Sequence, residues 1–195
     1  MSVPSLATGF DDPVQDGQRV FRAVLDAMSR PGRIVPLPRL PEIPAGLHAS
    51  SAAVALALLD LETPVWLDEA ASPAAKWLRF HCGSPLTAAA GDAAFALIAD
   101  GTRLPDLDLF PIGTPDYPER GTTLLIQVAA LAKGRGHRLR GPGIEHETFL
   151  DAEGLDEALW RHMAQGRDRF PLGHDVMLLS PDALACLPRS IILED

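Results

Sequence analysis

From Pro13 to Gly32 the apolar residues of PVQDGQRVFRAVLDAMSRPG recur at helical spacing. An advance of about 100° per residue puts Val20, Phe21, Val24, Leu25, Ala27 and Met28 on one arc, with Arg19, Arg22, Asp26, Ser29 and Arg30 on the other. An amphipathic helix follows, and its apolar arc must lie on a core that the rest of the chain supplies. Asp11 or Asp12 is placed to cap its start beside Pro13. Pro31-Gly32 ends it, because the residue before a proline avoids the helical region and glycine accepts a left-handed turn.

That core is sought in alternating apolar segments. The proline-rich run Ile34 to Pro44 is expected to cross the surface as an extended connection. A small-residue helix from Ser50 or Ser51 to Leu59 packs on a sheet, and Thr63 to Asp68 reads as a short strand. Ser72-Pro73 reads as an N-cap followed by proline at the first helical position, opening a helix that stops at Gly83 with Trp77 and Phe80 toward the core. Ala93 to Ala99 is a strand ending at the turn Asp100-Gly101. Thr102 to Gly121 is a long irregular loop. Thr122 to Leu131 is apolar on both faces and is expected at the centre of the sheet. Lys133 to His137 reads as a connection to a second strand, HRLRG, forming a hairpin with a basic tip. A helix over Asp156 to Gln165, a strand over Asp175 to Ser180 and an edge strand over Ser190 to Leu193 complete the pattern. Helices interleaved with apolar strands predict an α/β domain with a mixed sheet covered on both faces. At 195 residues and 47% hydrophobic, residues 1–195 are read as one domain.

Charge narrows the partners. Seventeen Lys and Arg against 26 Asp and Glu give a net charge of -9, which argues against nucleic acid, whose phosphates need a basic stripe. Two cysteines, Cys82 and Cys186, are too few for a disulfide framework and are expected as free thiols. The opening MSVPSLATGF lacks the charged and apolar regions of a leader, and no run is long enough to span a membrane, so a soluble cytoplasmic protein is expected.

The chemistry-bearing patterns are sparse. Arg22, Asp26 and Arg30 at i, i+4 and i+8, beside Arg19, form either a solvated face of weak ion pairs or a stripe that binds an anion or a partner. Arg138 and Arg140 alternate with His137, Leu139 and Gly141. Gly141-Pro142-Gly143 is either an ordinary turn or a place where backbone amides approach an anion. Gly134-Arg135-Gly136 fails the dinucleotide fingerprint, since Leu139 stands where the third glycine belongs. No histidines stand at i, i+4 with a partner, and Glu145-His146-Glu147 is not a zinc motif, so no metal is expected. His174-Asp175, before a strand, is well placed for an acid-base residue but reads as local variation. His81 beside Cys82 is a weak nucleophile pair, because neighbours on a helix diverge by about 100°.

The opening segment, together with Thr63-Pro64-Val65-Trp66-Leu67, Leu78-Arg79-Phe80-His81, Gly121-Thr122-Thr123-Leu124-Leu125, Arg138 to Ile144, Phe170-Pro171-Leu172-Gly173 and Leu187-Pro188-Arg189, resembles in order the PhnH subunit family of the bacterial carbon-phosphorus lyase system. The resemblance implies a three-layer αβα sandwich with a mixed central sheet, similar to the large domain of pyridoxal-phosphate enzymes. It also implies a homodimer, and a place beside the other core subunits of that system. There an alkylphosphonate is transferred to ribose C1 of ATP with loss of adenine. Pyridoxal chemistry needs a lysine, and Lys76 and Lys133 both stand where a solvated charge is expected, so no cofactor is expected on this chain. ATP and alkylphosphonate are then substrates of the assembly. Two other readings stay open: a structural dimer without substrate contact, and a stand-alone phosphonate- or nucleotide-binding domain using Arg19, Arg22, Arg138 and Arg140. On any of these, Arg19, Arg22, Arg30, Arg138, Arg140, Gly141 and Gly143 are the candidate anion- or partner-binding residues.

Overall fold

The structure, a computed structural model, describes residues 6–194. The first five residues of the stretch read for a leader, and residue 195 of the expected domain, lie outside it. Helix α1 (Pro13–Ser29) starts where expected, with the Asp12 carboxylate accepting from the Val14 and Gln15 amides. Beyond it Gly32 takes φ 77°. Helix α2 (Ala49–Leu58) is buried from Ala49 to Ala55, and α3 (Ala75–His81) follows a 3-10 turn.

Strands β1 (Val35–Pro36), β2 (Val65–Leu67), β3 (Leu86–Thr87), β4 (Phe95–Ile98), β5 (Thr123–Gln127), β8 (Asp175–Leu179) and β9 (Ala183–Leu187) form a seven-stranded sheet in the order β1-β9-β8-β5-β4-β2-β3. β5 is central. β2, β3, β4, β5 and β8 run parallel, while β9 is antiparallel to both neighbours. Alternation along the strands sends Leu97 and Leu125 to one face, where α1, α2 and α3 bring Val20, Val24, Ala53 and Trp77. Ala96, Ile98, Leu124 and Ile126 go to the other. This two-sided burial is why the central strands read as continuous apolar runs.

The third layer departs from the expected helical one. It is a three-stranded antiparallel sheet, β10-β6-β7, with helix α4 (Ala158–Gly166) beside it, where β6 is Ala130–Arg140, β7 Thr148–Glu153 and β10 Ile192–Glu194. Leu139, Leu150, Leu159 and Trp160 close the second core. The expected strand Thr122 to Leu131 divides. The Val128 amide still bonds to Leu179 in the large sheet, but the Ala129 amide bonds to Glu153, so the chain crosses between sheets there. The glycine-rich segment is not a connection either. β6 pairs with β7 on both sides of a bulge, with Lys133 and His137 both opposite Leu150 and with Gly134 and Gly136 at positive φ. The hairpin turn lies beyond, at 141–147.

Smaller differences share one cause. Periodicity shows that a helix has an apolar face without saying how much of it is covered. Phe21 and Leu25 are 46% and 53% exposed, and Phe80 is 71% exposed while Leu78 takes its expected place beside Trp77. Ser72 caps nothing with its side chain and begins a 3-10 turn. The proline-rich run after α1 supplies β1 at the sheet edge, where a proline is tolerated, and buries Leu37 and Leu40.

Candidate functional site

The antiparallel pairing of β8 with β9 sets Val176 opposite Leu187, so the start of one strand lies beside the end of the other. Asp175 and Arg189 meet there. Arg189 Nη2 and Nε donate to Asp175 Oδ2 at 2.7 and 3.2 Å, and the Arg189 amide donates to Asp175 Oδ1 at 2.9 Å. Nη1 donates to the carbonyls of Pro118 and Pro171. One half-buried guanidinium therefore ties the end of the long loop, the Phe170-Pro171 loop and the β8–β9 pair. A Cβ on Gly121 would lie 2.6 Å from Gly173 O and 3.2 Å from Arg189 Nη1, so only glycine lets these segments close. Three of the segments that carry the resemblance, Gly121–Leu125, Phe170–Gly173 and Leu187–Arg189, converge on this point.

One residue upstream, His174 is buried and its Nδ1 lies 3.0 Å from His162 Nε2 of α4. Its Nε2 faces Phe110 O at 3.4 Å. A carbonyl only accepts, so Nε2 of His174 carries the proton and its Nδ1 accepts from His162 Nε2–H. His162 Nδ1 then faces Asp108 at 3.7 Å, and Arg169 stands 3.9 Å from the same carboxylate. Asp108 stands beyond hydrogen-bond distance of His162 Nδ1, so the buried pair is held by the His162–His174 bond and the Phe110 carbonyl. Burial lowers both imidazole pKa values; that of His174 falls to about 4, with His162 beside it as the second cause. The cavity beside the pair measures about 10 Å³, room for one water.

This sets a pH dependence. Above about pH 6.5 His174 is neutral folded and unfolded; between 6.5 and about 4 only the unfolded imidazole takes up a proton, so stability falls as pH falls. Urea unfolding of wild type and His174→Asn at pH 7.5 and 4.5 is expected to show a loss about 2 to 3 kcal/mol smaller in the variant. Parallel losses in the two proteins would refute the assignment.

The arginines singled out in the sequence fall into two separate groups. On α1, Arg19 pairs with Asp16 at 2.9 Å, and Arg30 and Arg33 both pair with Asp26. Arg22 is exposed and meets no carboxylate among the described residues. On the outer face of the small sheet, Arg138 reaches Glu194 at 2.9 Å and Glu147 at 3.5 Å. Arg140 reaches Glu194 at 3.5 Å and donates to His146 O. Gly141 and Gly143 take φ 126° and 83°, and Gly143 packs against Ser29 and Pro31 at the end of α1. That contact joins the two segments through their backbones. The place of Asp108, the pairing of Asp175 with Arg189 and that of His162 with His174 are not visible in the sequence, which shows no strand β9 to set Arg189 beside Asp175.

Two crevices open at the carboxyl ends of the parallel strands. One of about 600 Å³ lies between Ile43, Leu131 and the Ser180–Ala183 turn. The other, about 410 Å³, lies at Asp68, Glu69, Asp100 and Arg103, where the strand order reverses between β2 and β4. Asp68 accepts there from the Ala71 and Asp100 amides, and Asp100 from Thr102. Neither lysine lines either of these two crevices: Lys76 and Lys133 stand exposed on α3 and β6, so the residues at the crevices do not fit a pyridoxal Schiff base. The Cys82 thiol, pushed up to about 12 by burial, donates to Ala55 O, while the His81 ring faces Ala7 O. That sequence-adjacent pair is not a nucleophile and base. Among the described residues no three His, Cys, Asp or Glu side chains gather to hold a metal, and no helix is long and apolar enough to cross a membrane.

A family model described as bacterial phosphonate metabolism protein (PhnH) matches residues 8–194. The chain is 41% identical over 187 residues to the alpha-D-ribose 1-methylphosphonate 5-triphosphate synthase subunit PhnH of Rhizobium meliloti (strain 1021), covering 95% of this chain and 94% of that protein. It is 36% identical over 179 residues to HtxG of Stutzerimonas stutzeri, provisionally named a C-P lyase subunit protein, covering 89% and 83%.

Proposed function

Since the chain belongs to the PhnH family of bacterial phosphonate metabolism proteins, we propose that it serves as the PhnH-type subunit of a ribose methylphosphonate triphosphate synthase. In that assembly a phosphonate oxygen bonds to C1 of the ATP ribose, the bond from C1 to the adenine nitrogen breaks, and adenine leaves with a proton. The near end-to-end likeness to a protein named as that subunit carries the reading. The chain works with partner subunits, in the cytoplasm, as a homodimer when alone, and without a cofactor of its own; the placement of Lys76 and Lys133 supports the last point.

A more architectural variant has an observation in its favour. Arg19, Arg30, Arg138 and Arg140 are already matched by carboxylates within the chain, which leaves them little capacity for a phosphonate or a triphosphate. The test is adenine release from ATP and methylphosphonate by the co-expressed synthase subunits of one organism, with and without this chain. Omission is expected to lower release at least tenfold, and adding back the purified chain to restore it. Equal release without the chain overturns the reading. Saturable calorimetric binding of ATP or methylphosphonate by the chain alone would move the role from architecture to substrate binding.

A further inference from the structure

Helix α1 carries a second apolar line that the core does not cover. Val14, Phe21 and Leu25 are 76%, 46% and 53% exposed, and with Gln18 they stand at steps of four, three and four residues. That spacing returns to one side of a helix and is the spacing of a helix–helix seam. Arg22 borders the line, about 60° round from Leu25. Its neighbours Arg19 and Arg30 are held by Asp16 and Asp26, so Arg22 is the α1 arginine left without a carboxylate among the described residues.

We propose that this face of α1 is a docking seam for an amphipathic helix of a partner synthase subunit, one that carries an Asp or Glu beside its own apolar stripe. The proposal rests on the subunit reading above. A second copy of the chain is a poorer occupant. Antiparallel pairing about the seam sets Val14 against Leu25 and Gln18 against Phe21 and brings Arg22 to its own flank of the second copy, where Gln15 and Gln18 stand; parallel pairing brings it to the opposite flank, where Gly17 and Met28 stand, so neither gives it a carboxylate. Asp16 lies on the far side of the helix and is engaged by Arg19. A partner carboxylate beside Arg22 fixes the register that apolar contact alone leaves free.

The test uses the co-expressed synthase subunits with wild type, Phe21→Glu and Arg22→Glu, and reads association by size-exclusion chromatography and titration at 50 and 300 mM salt. All three chains should melt alike on their own, because the substituted side chains are exposed. Phe21→Glu is expected to weaken association at least tenfold at both salt concentrations. Arg22→Glu should weaken it about tenfold at low salt and less at high salt. Wild-type association by both variants overturns the seam while leaving the subunit reading intact. Loss of self-association with unchanged partner binding overturns it in favour of a second copy. Failure of wild type to associate at all would overturn the subunit reading, and the seam with it.

Discussion

Arg189→Met is expected to destabilise the isolated chain by about 3 to 5 kcal/mol, because it leaves the Asp175 carboxylate half-buried and uncompensated. At this chain length that is a fall in Tm of about 10 °C. The effect is large because the guanidinium serves three segments at once: its Nε and Nη2 hold Asp175, and its Nη1 holds the Pro118 and Pro171 carbonyls. A methionine fills much of the volume and satisfies none of these acceptors. Adding Asp175→Asn removes the stranded charge, so the double variant is expected to lose less than the sum of the two single losses. Urea unfolding of the four proteins closes the cycle. A single-variant loss under about 1 kcal/mol would show that the loops are held by something other than this pair.

The fold was legible where one segment carries its own signal. Helix α1 declares its period, its cap and its stop. The central strands declare burial on both faces through unbroken apolar runs. The second sheet was not legible, because its signals are ambiguous without a partner strand. A glycine at positive φ serves a turn and a bulge equally, and only the pairing of β6 with β7 on both sides of Gly134 and Gly136 decides between them. The site shows the same limit. That Arg138 and Arg140 share a face follows from alternation, but Glu194, which pairs with both, arrives from a strand more than fifty residues later. Asp175 and Arg189 lie 14 residues apart across a hairpin whose second strand has no polar residue to set its period. Phe21 and Leu25 share the apolar arc of α1 with its core residues for a related reason. Hydrophobic spacing marks an apolar surface, and whether this chain or another covers it depends on the neighbours.

Gly143 tests what the glycine turn is for. An anion cradle there would lose only the left-handed backbone share to alanine in the free protein and show the rest of its loss in ligand binding. The geometry predicts instead a loss of stability: a Cβ at Gly143 would lie 2.2 Å from Ser29 O and 3.0 Å from Pro31 Cδ, at φ +83°. Gly143→Ala is therefore expected to cost about 2 to 4 kcal/mol, of which about 1 to 2 is the left-handed backbone and the rest displacement of the end of α1. Gly134→Ala is the control, since its φ is +76° but its Cβ would meet nothing within 4 Å, and it should cost only the backbone share of about 1 to 2 kcal/mol. Hydrogen exchange should rise in the last turn of α1 for Gly143→Ala and not for Gly134→Ala. If the two variants lose equal stability, the turn does not press on α1 and the cradle regains its claim. If they differ as expected, Gly143 is where the small sheet locks the helix that carries the docking seam, and damage at the turn should reach partner binding through the position of α1.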